Sequence, residues 1–427
     1  MSASLLANPI KLSQPAGAAL AFMGIKGAVP LWHGVQGCTA FAKILFIGHF
    51  REPFPFQTTA LAQTSVVMGG DPNVIEAVDN LASSSLIGLL TTGVAETSGV
   101  DLGRLEKEIA IRHPKLKLAA VSTPDFEGSL QTGWVKACEV MLNRLVAPKT
   151  ETKPKQVLFL MGPYFTPGEV EELRELCEFL GLDPLFFPDL GDSLLGYLGE
   201  EENAKGAIGG IEVEQIKGLS NSALVISLGQ SMKALGQRFS FGSQTNWAHF
   251  DHLAQLDELD SFYLKLLELA GLTELPKRLA KQRAHFLDVL LDTEYYFYEK
   301  SVALVGDPEL IHRWRAPLTS MGLKCRAYSG VRFEEEPAKD LKEVEADLSI
   351  NPANLLLGNS HVAELAEYLD LAALRTGYPV EDQIGEPTQV RLGYKGAAHL
   401  FTQVANALME QLEHATPYQS PLQATLL

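Results

Sequence analysis

Two patterns alternate along this chain, and no other feature restricts its fold as strongly: short apolar runs suited to a strand covered on both faces, and amphipathic runs of helical period. The clearest example begins at Gln156. Val157-Leu158-Phe159-Leu160-Met161 predicts a fully buried strand, and Thr166-Pro167-Gly168-Glu169 carries the cap, first-turn proline and third-position glutamate of a helix start. Val170, Leu173, Leu176, Cys177 and Leu180 form one stripe, Gly181 stops the helix, and Leu185-Phe186-Phe187 predicts the next strand. This is a βαβ unit, whose strands must run parallel.

A similar opening recurs about 144 residues further on, with Val302-Ala303-Leu304-Val305 as strand and Gly306-Asp307-Pro308 as turn and cap. A helix bearing Leu310, Ile311, Trp314, Leu318 and Met321 follows and ends at Gly322. Upstream, Asp71-Pro72 caps a helix with Val74, Ala77, Val78 and Leu81 inward, and Leu86–Leu90 and Leu118–Val121 read as strands. The expected fold is therefore α/β, with three Rossmann-like domains whose parallel sheets are flanked by helices. Expected boundaries are 1–150 for an N-terminal α/β domain, 151–290 for a second Rossmann-like domain, and 291–427 for a third with a C-terminal helix. The polar, Pro-bounded stretch 147–154 serves as linker, and a helix from about Lys277 to Lys300 bridges the later units.

A length of 427 residues suits two to four domains, and 46% apolar residues can fill their cores. With 35 basic against 52 acidic side chains the formal charge is −17, and no dense Lys/Arg run offsets it, so nucleic acid and anionic membrane are poor partners. No apolar run approaches the ~18 residues of a spanning helix, and the N-terminus lacks the basic flank of an export signal. The acidic runs at 200–202 and 334–336 are expected to be solvated faces. Four cysteines, at 38, 138, 177 and 325, give neither a disulfide framework nor a self-contained zinc site, which fits a reducing cytoplasm.

Cys138, Cys177 and Cys325 fall in apolar stripes or strand starts and read as core thiols. Cys38 differs. It follows Leu31-Trp32-His33, a strand end, and stands where a helix with Phe41, Ile44 and Leu45 begins. A helix N-terminus favours thiolate, and glycines at 34 and 37 permit close approach by something bulky. Nucleophile, metal ligand and inert bystander all remain open on these residues. His249 and His252 lie three apart and could share a helix face; Asp307 reads as a helix cap, because no G-x-G-x-x-G fingerprint accompanies it, and Asn359 or Ser360, at the end of a buried strand where α/β folds place sites, also reads as a cap.

The segment His33-Gly34-Val35-Gln36-Gly37-Cys38-Thr39-Ala40-Phe41, with His49-Phe50-Arg51-Glu52-Pro53 after it, resembles the first cluster-binding segment of the nitrogenase component 1 family. The resemblance continues in order through Thr91–Glu96, Thr123–Phe126, Phe165–Gly168, Pro188–Leu190, Leu290–Thr293, Gly306–Pro308, Gly358–His361 and Arg375–Pro379. It points within the family to the β-like subunit of the scaffold for nitrogenase iron–molybdenum cofactor biosynthesis. In the catalytic β subunit the positions matching Phe56 and Gly93 are cysteine, and the one matching Asp125 is a serine associated with the eight-iron cluster. Only Cys38 survives of that thiolate set, whereas a cubane needs about four ligands.

The resemblance therefore implies a [4Fe–4S] cluster shared with an α-like partner that brings three cysteines, in an α2β2 heterotetramer. Cys38 is the expected metal ligand, supported by the Gly37 backbone, and the partner mainly holds the cofactor precursor. Further implied partners are the nitrogenase iron protein, cluster-donating and cofactor-carrier proteins, and apo-nitrogenase. No independent active site is evident. The rivals are the catalytic β subunit of a nitrogenase-like or protochlorophyllide reductase-like oxidoreductase, and a plain Rossmann-type nucleotide binder.

Overall fold

The computed structural model describes residues 8–196 and 205–414, so the acidic run at 200–202 lies outside the described residues. Its strands are β1 (Ala28–His33), β2 (Gln57–Thr58), β3 (Leu86–Thr91), β4 (Leu118–Val121), β5 (Lys153–Leu160), β6 (Asp183–Phe187), β7 (Ser222–Leu228), β8 (Asn246–Phe250), β9 (Ser301–Val305), β10 (Lys324–Tyr328), β11 (Leu355–Gly358) and β12 (Ala372–Arg375). They form three four-stranded parallel sheets, ordered β2-β1-β3-β4, β6-β5-β7-β8 and β10-β9-β11-β12. The same order occurs three times. The α/β expectation is met, and the two similar openings in the sequence are β5 and β9, the central first strands of their sheets.

Local chemistry explains the elements. Val157–Leu160 are wholly buried in β5, as a strand covered by helices on both faces requires. The helix Pro167–Phe179 starts with a reciprocal capping box between Thr166 and Glu169, and Asp307 and Asn359 cap the helices Pro308–Ser320 and Ser360–Tyr368 with their side chains. Two boundaries differ from expectation. β5 starts at Lys153, inside the stretch read as linker, because that end of the strand needs no apolar cover, and the helix Asp71–Asn80 takes Gly70 rather than Asp71 as its cap.

One apolar core runs through all three sheets. The helix Gln14–Met23 is entirely buried against Leu130–Leu145, and the C-terminal helix Gly393–His414 packs on Lys277–Phe297, while its Tyr394 stacks at 4.4 Å on Tyr263 of another helix, Leu256–Ala270. No helix among the described residues is long and apolar enough to cross a membrane.

Candidate functional site

In the first sheet the chain leaves β1 toward β2 on one side and returns to β3 on the other, so the reversal of strand order falls between β1 and β3. Open α/β sheets bind ligands outside the carboxyl ends of such a pair. His33, Thr91 and Val121 end three adjacent strands, and the segments after them carry Cys38, Gly93 and Asp125 respectively. The fold thus brings together residues 55 and 87 positions away from Cys38. Hydrogen bonds hold these ends in register: Thr92 Oγ1 donates to the His33 carbonyl at 3.0 Å, and Thr123 Oγ1 donates to the Thr91 carbonyl at 2.7 Å. Burial depresses His33 to about 4, so its ring is neutral, with Nδ1 3.0 Å from Thr59 Oγ1.

Cys38 is the third residue of the helix Gln36–Phe50 and is exposed. The capping residue, Val35, offers no side-chain acceptor to the first turn. Around Gly37 there is open space where a side chain would stand. Gly34 is different, because a Cβ there would strike Thr92, so its bareness serves packing rather than an incoming group. The expectation that the helix end would favour thiolate is overturned for the isolated chain. Burial first, and then the negative charge of Asp125, push the Cys38 thiol up, outweighing the backbone hydrogen bond that lowers it.

The surface beside Cys38 escaped sequence reasoning. The helix buries Thr39, Ala42, Phe46, His49 and Phe50 but turns Phe41 and Ile44 outward, at 73% and 70% exposure, with Val35 and Ile47 also exposed. Val67 and Met68 add 79% and 85% nearby in sequence, on the next helix, Gln63–Met68. A helix apolar on every side is normally buried, and that was the available signal.

Phe56 cannot be exchanged lightly for a ligand. Its ring is buried, 6.1 Å from Trp32, 6.0 Å from Phe46 and 5.2 Å from Phe54. At Gly93, an added side chain would run into the Asp125 carboxylate.

The remaining candidates resolve into structural roles. His249 sits on strand β8 rather than on a helix, since its Trp247–Phe250 run pairs with β7, and its ring bridges Ser227 and Asp251 while His252 pairs with Glu258. Cys138 and Cys177 are buried and Cys325 half-buried, each thiol pushed up by burial. Among the described residues no group of three or more His, Cys, Asp or Glu could hold a metal ion.

Residues 13–409 match the family model described as nitrogenase component 1 type oxidoreductase. The chain belongs to that family. Its curated relatives include the nitrogenase iron-molybdenum cofactor biosynthesis proteins NifN of Nostoc sp. (strain PCC 7120), 36% identical over 96% of this chain and 95% of that one, and of Klebsiella pneumoniae, 32% identical over 98% and 94%. Among solved structures the chain is similar to one titled "Nitrogenase Cp1 at pH 6.5", with a TM-score of 0.87, 25% identity, and 98% and 97% coverage. The component 1 type match spans all three sheets and includes Cys38, Gly93 and Asp125.

Proposed function

We propose that this chain is the β-like subunit of the scaffold on which the iron–molybdenum cofactor of nitrogenase is assembled, and that it shares a [4Fe–4S] cluster with an α-like NifE partner in an α2β2 heterotetramer. The observation that carries the reading is Cys38, a lone exposed thiol at the reversal point of the first sheet, beside open space at Gly37 and an uncovered apolar helix face. The relatives named for cofactor biosynthesis, matched over nearly their full length, support it.

The residues fit one corner of a shared cluster and no more. A cubane takes about four protein ligands, usually thiolates, and the other three thiols of this chain lie in its interior or in strand β10 of the third sheet. Cys38 Sγ would lose its proton and supply one thiolate, while Gly37 leaves room and the first helical turn presents backbone N–H groups to an anionic group. A cluster bound there supplies one-electron transfer. Phe41, Ile44 and Ile47 exclude water around it once the partner covers them. Phe56 and Gly93, which offer no ligand, weigh against a catalytic β subunit. The partner mainly holds the cofactor precursor, and the nitrogenase iron protein, cluster-donating and cofactor-carrier proteins and apo-nitrogenase exchange electrons or cargo with the cytoplasmic complex.

Anaerobic purification tests this. The chain alone should carry little iron, and co-expression with its three-cysteine partner should give a cubane electron paramagnetic resonance signal on reduction. A full cubane signal from the isolated chain would defeat the shared-ligand reading, and an eight-iron signal from the complex would favour the catalytic subunit.

A further inference from the structure

A cleft of about 450 Å3 opens between the helix Leu130–Leu145, which follows the first sheet's β4, and the helix Lys233–Ser243, which follows the second sheet's β7. Clefts of this size, between separately built parts of a chain, are where small organic molecules bind. Its floor is apolar: Leu142 and Leu235 are buried, and Val146 and Phe239 are half-buried beside them. A third wall is the stretch 146–149, which leads from the first sheet to the second. That wall is fixed, because Ala147 N donates to the Lys217 carbonyl at 3.0 Å and Ser220 Oγ donates to the Ala147 carbonyl at 2.8 Å. The cleft is therefore preformed.

Its charges do not balance. Glu139 and Arg238 bridge the two helices at 3.1 Å and offset one another. Lys149, half-buried in the third wall, meets the Gln244 carbonyl and Thr245 Oγ1, each at 3.4 Å. Gln244 is the cap at the carbonyl end of Lys233–Ser243. A helix end carries about half a charge, so these neutral oxygens steady the ammonium without cancelling it, and an ammonium has three donors to give.

We propose that this cleft binds an amphipathic organic monoanion, an aliphatic carboxylate of about eight to twelve carbons, with its headgroup on Lys149 Nζ and its chain along Leu142, Leu235 and Phe239. A single unmatched cation selects a monoanion, and the apolar floor selects a chain over inorganic phosphate. Cys38 and the strand ends around it do not line the cleft, so the assignment stands apart from the cluster reading.

Isothermal titration of the full chain tests it. Decanoate should bind at one site with a dissociation constant of roughly 0.1–1 mM, each methylene from octanoate to decanoate tightening binding about fourfold. Acetate and inorganic phosphate should give no saturable heat, and octylammonium should bind at least about tenfold more weakly than octanoate. Lys149→Gln should weaken decanoate about tenfold or more, whereas Lys149→Arg, which keeps the charge, should retain it. Gly242 lines the cleft, and a Cβ there would meet nothing within 4 Å, so Gly242→Trp fills the space without displacing a neighbour and should abolish binding. No saturable heat with decanoate, equal affinity for octanoate and octylammonium, or unchanged binding in either Lys149→Gln or Gly242→Trp overturns the proposal. The headgroup comparison uses the unaltered chain, so it decides even if a variant fails to fold.

Discussion

The carboxyl ends of the first sheet and those of the other two meet opposite fates. Beyond β1 and β3 the chain leaves an exposed thiol, open space and uncovered apolar side chains. Where the second and third sheets meet, the corresponding ends are closed by the chain's own carboxyl and guanidinium groups. Glu169, fully buried after β5, pairs with Arg313 of the helix following β9 and accepts from Thr166 N at 2.9 Å and Arg391 N at 3.0 Å. Arg391 in turn forms a two-pronged pair with Glu386, at 2.6 and 2.9 Å. Glu309 accepts from Ser231 N, at the helical turn after β7, at 2.8 Å. Helix starts at strand ends attract anions; in this junction internal carboxylates fill that role, whereas the helix start beyond β1, which carries Cys38, has no side-chain acceptor of its own. One fold rule thus yields a lock in one place and an open end in another.

The largest effect should come from the lock. Arg313→Ala strands the Glu169 carboxylate in the interior, and breaking such a pair costs about 3–5 kcal/mol, so chemical denaturation should show a deep loss or a chain that does not fold. A loss under about 1 kcal/mol would mean the junction is not a lock.

A pH effect comes next. Burial, reinforced by Asp307, pushes Glu309 up to about 8, and burial pushes Asp307 up to about 6. Tyr164, Asp251 and Ser231 face the same cluster. Both carboxyls bind protons more tightly folded than unfolded, so their contribution is complete below their ordinary values near 4 and is lost as pH rises, to about 6 for Asp307 and about 8 for Glu309. Melting temperatures should fall between pH 5 and 8 more steeply in wild type than in Glu309→Gln. Parallel curves would contradict the assignment.

The open end should respond least by itself. Phe41→Ser and Ile44→Ser, at exposed positions, should change the isolated chain's stability by no more than about 0.5 kcal/mol while abolishing co-purification with the partner. Retained co-purification would free that face of an interface role.

Legibility in the sequence follows how local each cause is. The β5 run, the Thr166–Glu169 box and the Asp307 and Asn359 caps depend on residues within one turn, and all were readable. Cys38 stood out because of its place between a strand end and a helix start. The Glu169–Arg313 pair joins residues 144 apart, and Asp125 meets Gly93 only through the pairing of β3 with β4, so no spacing announces either. The outward turn of Phe41 and Ile44 was hidden because an apolar pattern does not say which side a partner will cover. His249 read as helical from a three-residue spacing, yet its run alternates into a strand. The raised Cys38 thiol was likewise out of reach, since its burial, the main cause, and the Asp125 charge 87 residues downstream both arise only in the fold.

The most direct test of the central claim is the iron content and reduced electron paramagnetic resonance spectrum of the complex purified with wild-type chain or with Cys38→Ala. The account predicts that the cubane signal is weakened or lost in the variant while the chain stays folded. A full cubane signal in Cys38→Ala would contradict it.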